Sequence, residues 1–208
     1  MNIKTLPLGM LETNCYILNN GTGLLIIDPS SDAEVIKQEI EEIGLPVEGI
    51  LLTHAHFDHI GALEETAAAY QIDTWVGKEE TEWLADPDKN GSGKYKNMGM
   101  EPISSTVEPK ILKEGPMQLG SFEFEVYHTP GHSPGSMSFL FGDFVVSGDV
   151  LFSGGIGRTD LYMSNHPDLI KSIRETLYAL DEDTDVYPGH GPSTTIGEEK
   201  NTNPFVRG

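Results

Sequence analysis

Three of the chain's seven histidines stand within six residues, in Thr53-His54-Ala55-His56-Phe57-Asp58-His59, directly after the apolar run Ile50-Leu51-Leu52. This stretch constrains the fold, because a strand ending there must fan His54, His56, Asp58 and His59 into one pocket. Imidazole and carboxylate are the donors that zinc, iron and manganese take in catalytic sites. A solvated, histidine-rich loop is the plain alternative, and three residues downstream weigh against it. His132 stands in Thr129-Pro130-Gly131-His132-Ser133, Asp149 in Ser147-Gly148-Asp149, and His190 in Tyr187-Pro188-Gly189-His190-Gly191. Each follows a strand-like run, at 122–127, 144–146 and 185–187. Pro and Gly flank His132 and His190, which suits a sharp turn with backbone close to a crowded site. Taken singly, each reads as a turn residue. Their shared placement at strand ends, beside the histidine cluster, makes them candidate ligands.

The pattern between these points alternates strands and helices. Residues 16–18 and 24–27 predict paired strands across Asn19-Asn20-Gly21. Asp32 is the expected cap of a helix to Ile43, with Val35, Ile36, Ile40 and Ile43 on one face and Gly44 as terminator. A strand over 49–53 then feeds a helix opened by Asp58 and running to Tyr70, with Ile60, Leu63 and Ala67 inward. That would set Asp58 at a positive helix end. A short strand at 74–77 and a short helix at 79–84 follow. Residues 86–109 carry six Gly and Pro residues with little periodicity, and read as a long loop, either a substrate-side flap or plain disorder. The second half predicts strands at 117–119, 122–127, 136–141 and 144–147. A helix follows over 168–180, with Leu169, Ile173, Leu177 and Leu180 inward. Two strand-rich halves with outer helices predict an α/β, four-layer αββα sandwich of two mixed sheets, a single domain over 1–208.

Composition narrows the function. The 208 residues are 38% hydrophobic and 22% charged, as in a globular domain with a sizeable core. No apolar run approaches the roughly 20 residues of a membrane span. Met1-Asn2-Ile3-Lys4 lacks the long apolar core of a secretory signal. The single cysteine, Cys15, excludes an intrachain disulfide and fits a reducing, cytoplasmic compartment; in Cys15-Tyr16-Ile17-Leu18 it reads as a small buried residue. A formal net charge of −20 repels phosphate backbones, so neither nucleic acid nor membrane is an expected partner. The acidic runs Glu39-Glu41-Glu42, Glu79-Glu80-Glu82 and Asp181-Glu182-Asp183 read as solvated surface. Against this acidity, Lys94, Tyr95 and Lys96 stand out as a local cationic patch within the long loop.

At the histidine and aspartate residues the chain resembles the metallo-β-lactamase superfamily. His54-x-His56-x-Asp58-His59, His132, Asp149 and His190 match its pattern in order, and Asp28 in Ile26-Ile27-Asp28-Pro29 matches its first motif. The resemblance implies the sandwich fold and two divalent metal ions, zinc foremost, with iron or manganese as alternatives. It also implies a division of labour: His54, His56 and His132 on one ion, Asp58, His59 and His190 on the other, Asp149 bridging. Asp58 and Asp149 are the candidate catalytic carboxylates, and Asp28 would orient a ligating imidazole or make a strand-end turn. Two ions roughly 3.5–4 Å apart can generate hydroxide at neutral pH, so no protein nucleophile is needed. His128 and His166 match no motif position and read as structural or surface residues.

Within the superfamily, Thr13-Asn14-Cys15-Tyr16, Thr129-Pro130-Gly131-His132-Ser133-Pro134-Gly135-Ser136 and Gly148-Asp149-Val150-Leu151-Phe152 are similar to glyoxalase II (hydroxyacylglutathione hydrolase) and its short bacterial relatives. The implied activity is hydrolysis of a small anionic acyl thioester. Full-length glyoxalase II carries basic C-terminal helices that hold glutathione. Here only Lys200 and Arg207 follow His190, so the thiol is left open. Arg158, in Gly157-Arg158-Thr159-Asp160-Leu161, could hold a substrate carboxylate or pair with an acidic neighbour. The same segment resembles persulfide dioxygenases, whose single iron is the competing chemistry. A non-catalytic binding protein on this fold is a third reading, against which the full ligand set argues.

Overall fold

The computed structural model describes residues 1–208. The chain comprises two compact units, Met1–Leu112 with Gln118–Phe122, and Lys113–Met117 with Glu123–Gly208. No helix is long and apolar enough to cross a membrane.

The first unit is built on a six-stranded sheet of β1 (Asn2–Leu8), β2 (Thr13–Asn19), β3 (Leu24–Ile27), β4 (Val47–Leu51), β5 (Thr74–Val76) and β6 (Lys110–Ile111), in that order across the sheet. The first three strands run antiparallel, with Leu6 opposite Cys15 and Tyr16 opposite Ile27. From β3 onward the pairing is parallel. Leu24, Leu25, Ile26 and Ile27 are all inaccessible to solvent, as expected of a strand covered on both faces. β1 escapes the sequence reading because four of its seven residues are exposed, which leaves little apolar pattern to see.

Helix α1 (Ala33–Ile43) buries Ala33, Ile36 and Ile40 against this sheet and ends at Gly44, φ 73°. Two expectations fail here. Val35 is 39% exposed. Asp32 adopts a left-handed backbone and caps nothing with its side chain; its Oδ2 accepts instead from Gly9 N, 3.0 Å away, and ties the β1–β2 turn to the helix start. Helix α2 (Leu63–Tyr70) starts five residues later than predicted. Turns occupy the intervening residues, so Asp58 does not sit at a helix end. Bonds from His59 N to His56 O and from Ala62 N to Pro29 O hold this stretch instead.

Residues 86–109 are not a structureless loop. A 3₁₀ helix spans Ser92–Met98, and buried Asn90 anchors both ends of the segment. Asn90 Nδ2 donates to Trp83 O (3.1 Å) and Ile103 O (2.9 Å), while its Oδ1 accepts from Ser92 N and Ser92 Oγ. Farther along, Glu64 accepts from Ser105 Oγ, Thr106 Oγ1 and Thr106 N, bonds that hold its carboxyl below the usual range.

The second sheet lies mostly in the second unit. Its strands are β7 (Gly115–Leu119), β8 (Phe122–His128), β9 (Met137–Phe141) and β10 (Phe144–Gly148), followed after the small hairpin β11 (Leu151–Phe152) and β12 (Gly155–Ile156) by β13 (Asp185–Pro188) and β14 (Thr194–Thr195). The order is β14-β13-β10-β9-β8-β7. β13 joins β10 in parallel, and β9 and β14 pair antiparallel with their neighbours. β8 alternates buried Phe122, Phe124 and Val126 with more open Glu123 and Glu125, the period-two signature read from sequence. The predicted helix over 168–180 is three pieces: α3 (His166–Lys171), a π turn over Ser172–Thr176 and a 3₁₀ turn over Leu177–Ala179. Leu169, Ile173 and Leu177 still face the core, so the apolar period was read correctly although the helix is irregular. Helix α4 (Ile196–Thr202) follows β14 and is capped by the Thr195 side chain, which accepts from Glu198 N.

Candidate metal centre

In the first unit, β4 ends at Leu51, and the chain turns immediately into the histidine run. His54, His56 and His59 are almost wholly buried, and Asp58 less so. One ligand atom each from His54 and His56, from His54 and His59, and from Asp58 and His59 lie within 4.8 Å of one another. Asp28 organises this group from the end of β3. Its Oδ1 accepts from Thr53 N (2.7 Å) and its Oδ2 from Thr53 Oγ1 (2.5 Å), while His59 Nδ1 lies 2.8 Å from Oδ2. Thr53, having given its proton to Asp28, offers a lone pair to His54 Nδ1 at 3.1 Å. Both rings therefore carry their proton on Nδ1 and turn an Nε2 lone pair outward, the form a metal takes. Thr13 Oγ1 donates to Asp58 Oδ2 at 2.9 Å and fixes that carboxylate too.

In the second unit, three turns carry the donors. His132 Nδ1 lies 2.9 Å from Arg158 O. A carbonyl can only accept, so the proton again sits on Nδ1. Asp149 Oδ2 lies 3.5 Å from His132 Nε2 and 3.6 Å from His190 Nε2. With the proton of His132 held on Nδ1, a lone pair and a carboxylate oxygen face each other, an arrangement that a cation between them stabilises. His190 is the most open donor, its side chain 29% exposed. Two glycines permit the crowding. A Cβ on Gly157 would stand 1.9 Å from Asp149 O, and one on Gly131, at φ 137°, would stand 2.2 Å from Leu169 N. Ser164 Oγ donates to His132 O, and Asn165 N to Gly131 O, so the start of α3 also pins the His132 turn. The donor set in each unit fits a divalent cation: imidazoles in the ligating tautomer beside carboxylates.

The proposed substrate residues divide. Tyr95 packs on Phe57, between His56 and Asp58, with ring centroids 5.3 Å apart. Phe57 N also donates to Asn90 O. The 3₁₀ helix therefore touches the histidine loop, and Lys94 and Lys96 flank the contact on exposed positions. Arg158, by contrast, is 61% exposed along its side chain and forms a bidentate pair with Asp160, at 2.6 and 2.7 Å. Its backbone carbonyl accepts from His132 Nδ1 at 2.9 Å. His128 Nε2 donates to Pro134 O, and His166 opens α3, both away from the ligand roles. Cys15 is buried, and burial with Asp28 nearby pushes its thiol well above its usual range, which removes it as a nucleophile.

Sequence reasoning passed over two groups. Thr53 is flanked by the motif yet relays Asp28 to His54. Glu80, read as part of a solvated acidic run, is fully buried: its Oε2 accepts from Ala55 N at 2.5 Å. A strand-to-3₁₀ junction with Trp83 three residues on was the available signal.

The family model described as Metallo-beta-lactamase superfamily matches residues 8–190. The probable metallo-hydrolase YqgX of Bacillus subtilis (strain 168) is 44% identical over 210 residues, 100% of this chain and 99% of that protein. Hydroxyacylglutathione hydrolase GloC of Haemophilus influenzae is 36% identical over 211 residues, 99% of this chain and 98% of its own. Among solved structures, the BLEG-1 B3 metallo-beta-lactamase aligns over 100% of both chains at 42% identity, TM-score 0.94. TTHA1623 in a di-iron-bound form aligns over 98% of this chain and 100% of its own at 35% identity, TM-score 0.88. ETHE1 from Myxococcus xanthus aligns over 99% of this chain and 84% of its own at 28% identity, TM-score 0.81. The two mixed sheets with their helices are the metallo-β-lactamase fold expected from the sequence, and the chain belongs to the metallo-β-lactamase superfamily.

Proposed function

We propose that this metallo-hydrolase cleaves a small anionic acyl thioester, and that His54, His56, Asp58, His59, His132, Asp149 and His190 together hold two divalent ions, zinc by our reading. The observation that carries the metal assignment is Asp149, one of whose oxygens sits 3.5 and 3.6 Å from the two imidazoles of His132 and His190. The likeness to GloC over nearly the whole of both chains supports the thioester. When bound, such ions supply hydroxide at neutral pH and polarise the carbonyl under attack. The chain's own residues do the rest. Asp28 and the Arg158 carbonyl lock the imidazole tautomers. Thr13 keeps the Asp58 carboxylate in place. Lys94 and Lys96, set beside Tyr95 and Phe57, attract the anionic end of the substrate toward the histidine loop. We assign Arg158 to the substrate carboxylate only if it exchanges Asp160 for it, since the guanidinium fork is already engaged.

The test is a substrate panel on protein carrying zinc and, separately, iron. S-lactoylglutathione and other hydroxyacyl thioesters should be hydrolysed by the zinc form. A β-lactam belongs in the panel because BLEG-1 is described as a B3 metallo-beta-lactamase. A persulfide with oxygen uptake belongs there because of ETHE1 and because TTHA1623 was seen with two irons. Turnover confined to the β-lactam, or oxygen uptake by the iron form without thioester loss, would replace the thioesterase reading.

A further inference from the structure

We propose that Glu80 and Trp83 are positioning residues of the metal centre, acting on the His54–His56 loop without ligating the metal. The inference rests on the reading of His54 and His56 as ligands. Both residues lie on the 3₁₀ helix Lys78–Ala85, which follows β5. Glu80 is 0% exposed, and its Oε2 accepts from Ala55 N, the peptide between the two histidines. Trp83 is 2% exposed, and its ring lies 5.7 Å from the His56 ring, tilted by 41°. One short helix thus holds the loop at two points: the backbone between the ligands and the face of the second ligand.

A single backbone N–H needs only one neutral acceptor, which a serine or asparagine supplies. A fully buried carboxylate is a costly substitute, because taking its charge out of water costs several kcal/mol unless a positive charge lies close by. Cations held by His54 and His56 would place positive charge on the same loop. Glu80 therefore favours a cation on that loop electrostatically while fixing the peptide that carries both imidazoles. Trp83 supplies the steric half: a rigid ring leaves His56 one orientation.

Two readouts test this, on full-length protein. Metal affinity is measured by competition between the protein and a chromophoric chelator, using zinc alone, and thermal stability is measured on metal-free protein. Glu80→Gln keeps an acceptor for Ala55 N but removes the charge. It should weaken zinc binding by about 10–100-fold, the usual effect of losing an outer-shell partner. Trp83→Phe should shift the visible spectrum of the Co²⁺ form and weaken zinc several-fold. Lower melting of metal-free Glu80→Gln with wild-type zinc affinity would mean a purely structural acceptor and overturn the proposal. If Glu80→Gln does not fold, Trp83→Phe decides: an unshifted Co²⁺ spectrum with wild-type affinity overturns it. Wild-type protein that binds no zinc, or His56→Ala that binds it fully, would fault the ligand assignment itself rather than the roles of Glu80 and Trp83.

Discussion

At the scale of single residues, Asp28 has the widest reach. From one position at the end of β3 it accepts from the Thr53 backbone and hydroxyl and from His59, and through Thr53 it sets the ring of His54. Asp28→Ala leaves the buried Thr53 N–H and the His59 Nδ1–H without that acceptor, a loss of about 1–3 kcal/mol for each group left unsatisfied. It also frees two imidazole tautomers. We expect zinc affinity to fall roughly 10–100-fold, read by chelator competition; wild-type affinity with only a lower melting point would reduce Asp28 to a turn residue. A lone histidine or aspartate rarely announces such a role in a sequence. Asp28 was legible because it closes an apolar run in step with the downstream motif, while Glu80 was not, because its neighbours Glu79 and Glu82 made it look like surface.

At the scale of elements, turns decide more than strands do. The Pro130-Gly131-His132 turn presses against the start of α3, with Gly131 against the Leu169 backbone and Asn165 N donating to Gly131 O. Gly131→Ala cannot be accommodated by a rotamer change, since the obstacle is main chain. It should destabilise the protein by about 3 kcal/mol or more, from a strained φ added to the clash, and displace His132; chemical denaturation of the metal-free variant measures the first. A modest change below about 1 kcal/mol would show that α3 can move aside. The 3₁₀ helix Ser92–Met98 carries the second prediction at this scale. Lys94→Ala with Lys96→Ala should raise KM for an anionic thioester, more at low salt, with kcat nearly unchanged, as for lost uniform binding. Steady-state kinetics at two ionic strengths that show no change would assign these lysines to the surface alone. The apolar periods of α1, β8 and the 168–180 region were readable from sequence. The late start of α2 and the π turn were not, because backbone bonds such as His59 N to His56 O, rather than side-chain periodicity, set them.

For the whole molecule, stability falls on the alkaline side through its tyrosines. Burial pushes Tyr178 from 10.0 up to about 12, with Glu199 adding to the rise and Arg174 opposing it; its hydroxyl also donates to Val206 O at 2.9 Å. A folded value above the unfolded one means the native state keeps a proton that the unfolded chain has lost. Its contribution is therefore full below pH 10 and is lost as pH rises toward 12. Tyr70, Tyr127 and Tyr187 are raised in the same direction, chiefly by burial. Unfolding free energies measured between pH 9 and 11.5 should decline, and Tyr178→Phe should decline less steeply from a start about 1 kcal/mol lower, the worth of one hydrogen bond. Parallel slopes in the two proteins would remove Tyr178 from this account.

The sequence by itself determined the family and the donor types that its candidate site can offer. Four donors in six residues after a buried strand, and three more at later strand ends, specify imidazole and carboxylate in a definite order, and a strand that must bury Leu24 to Ile27 specifies a covered sheet. What only the tertiary structure decided is which neighbours serve those donors. Hydrogen bonds from His59 to Asp28, from Ala55 to Glu80 and from His132 to the Arg158 carbonyl join residues 31, 25 and 26 positions apart. No local period records such pairs, because they depend on which strand ends the sheets bring side by side. The same proximity pairs the Arg158 guanidinium with Asp160, two residues away, while the Arg158 carbonyl accepts from His132.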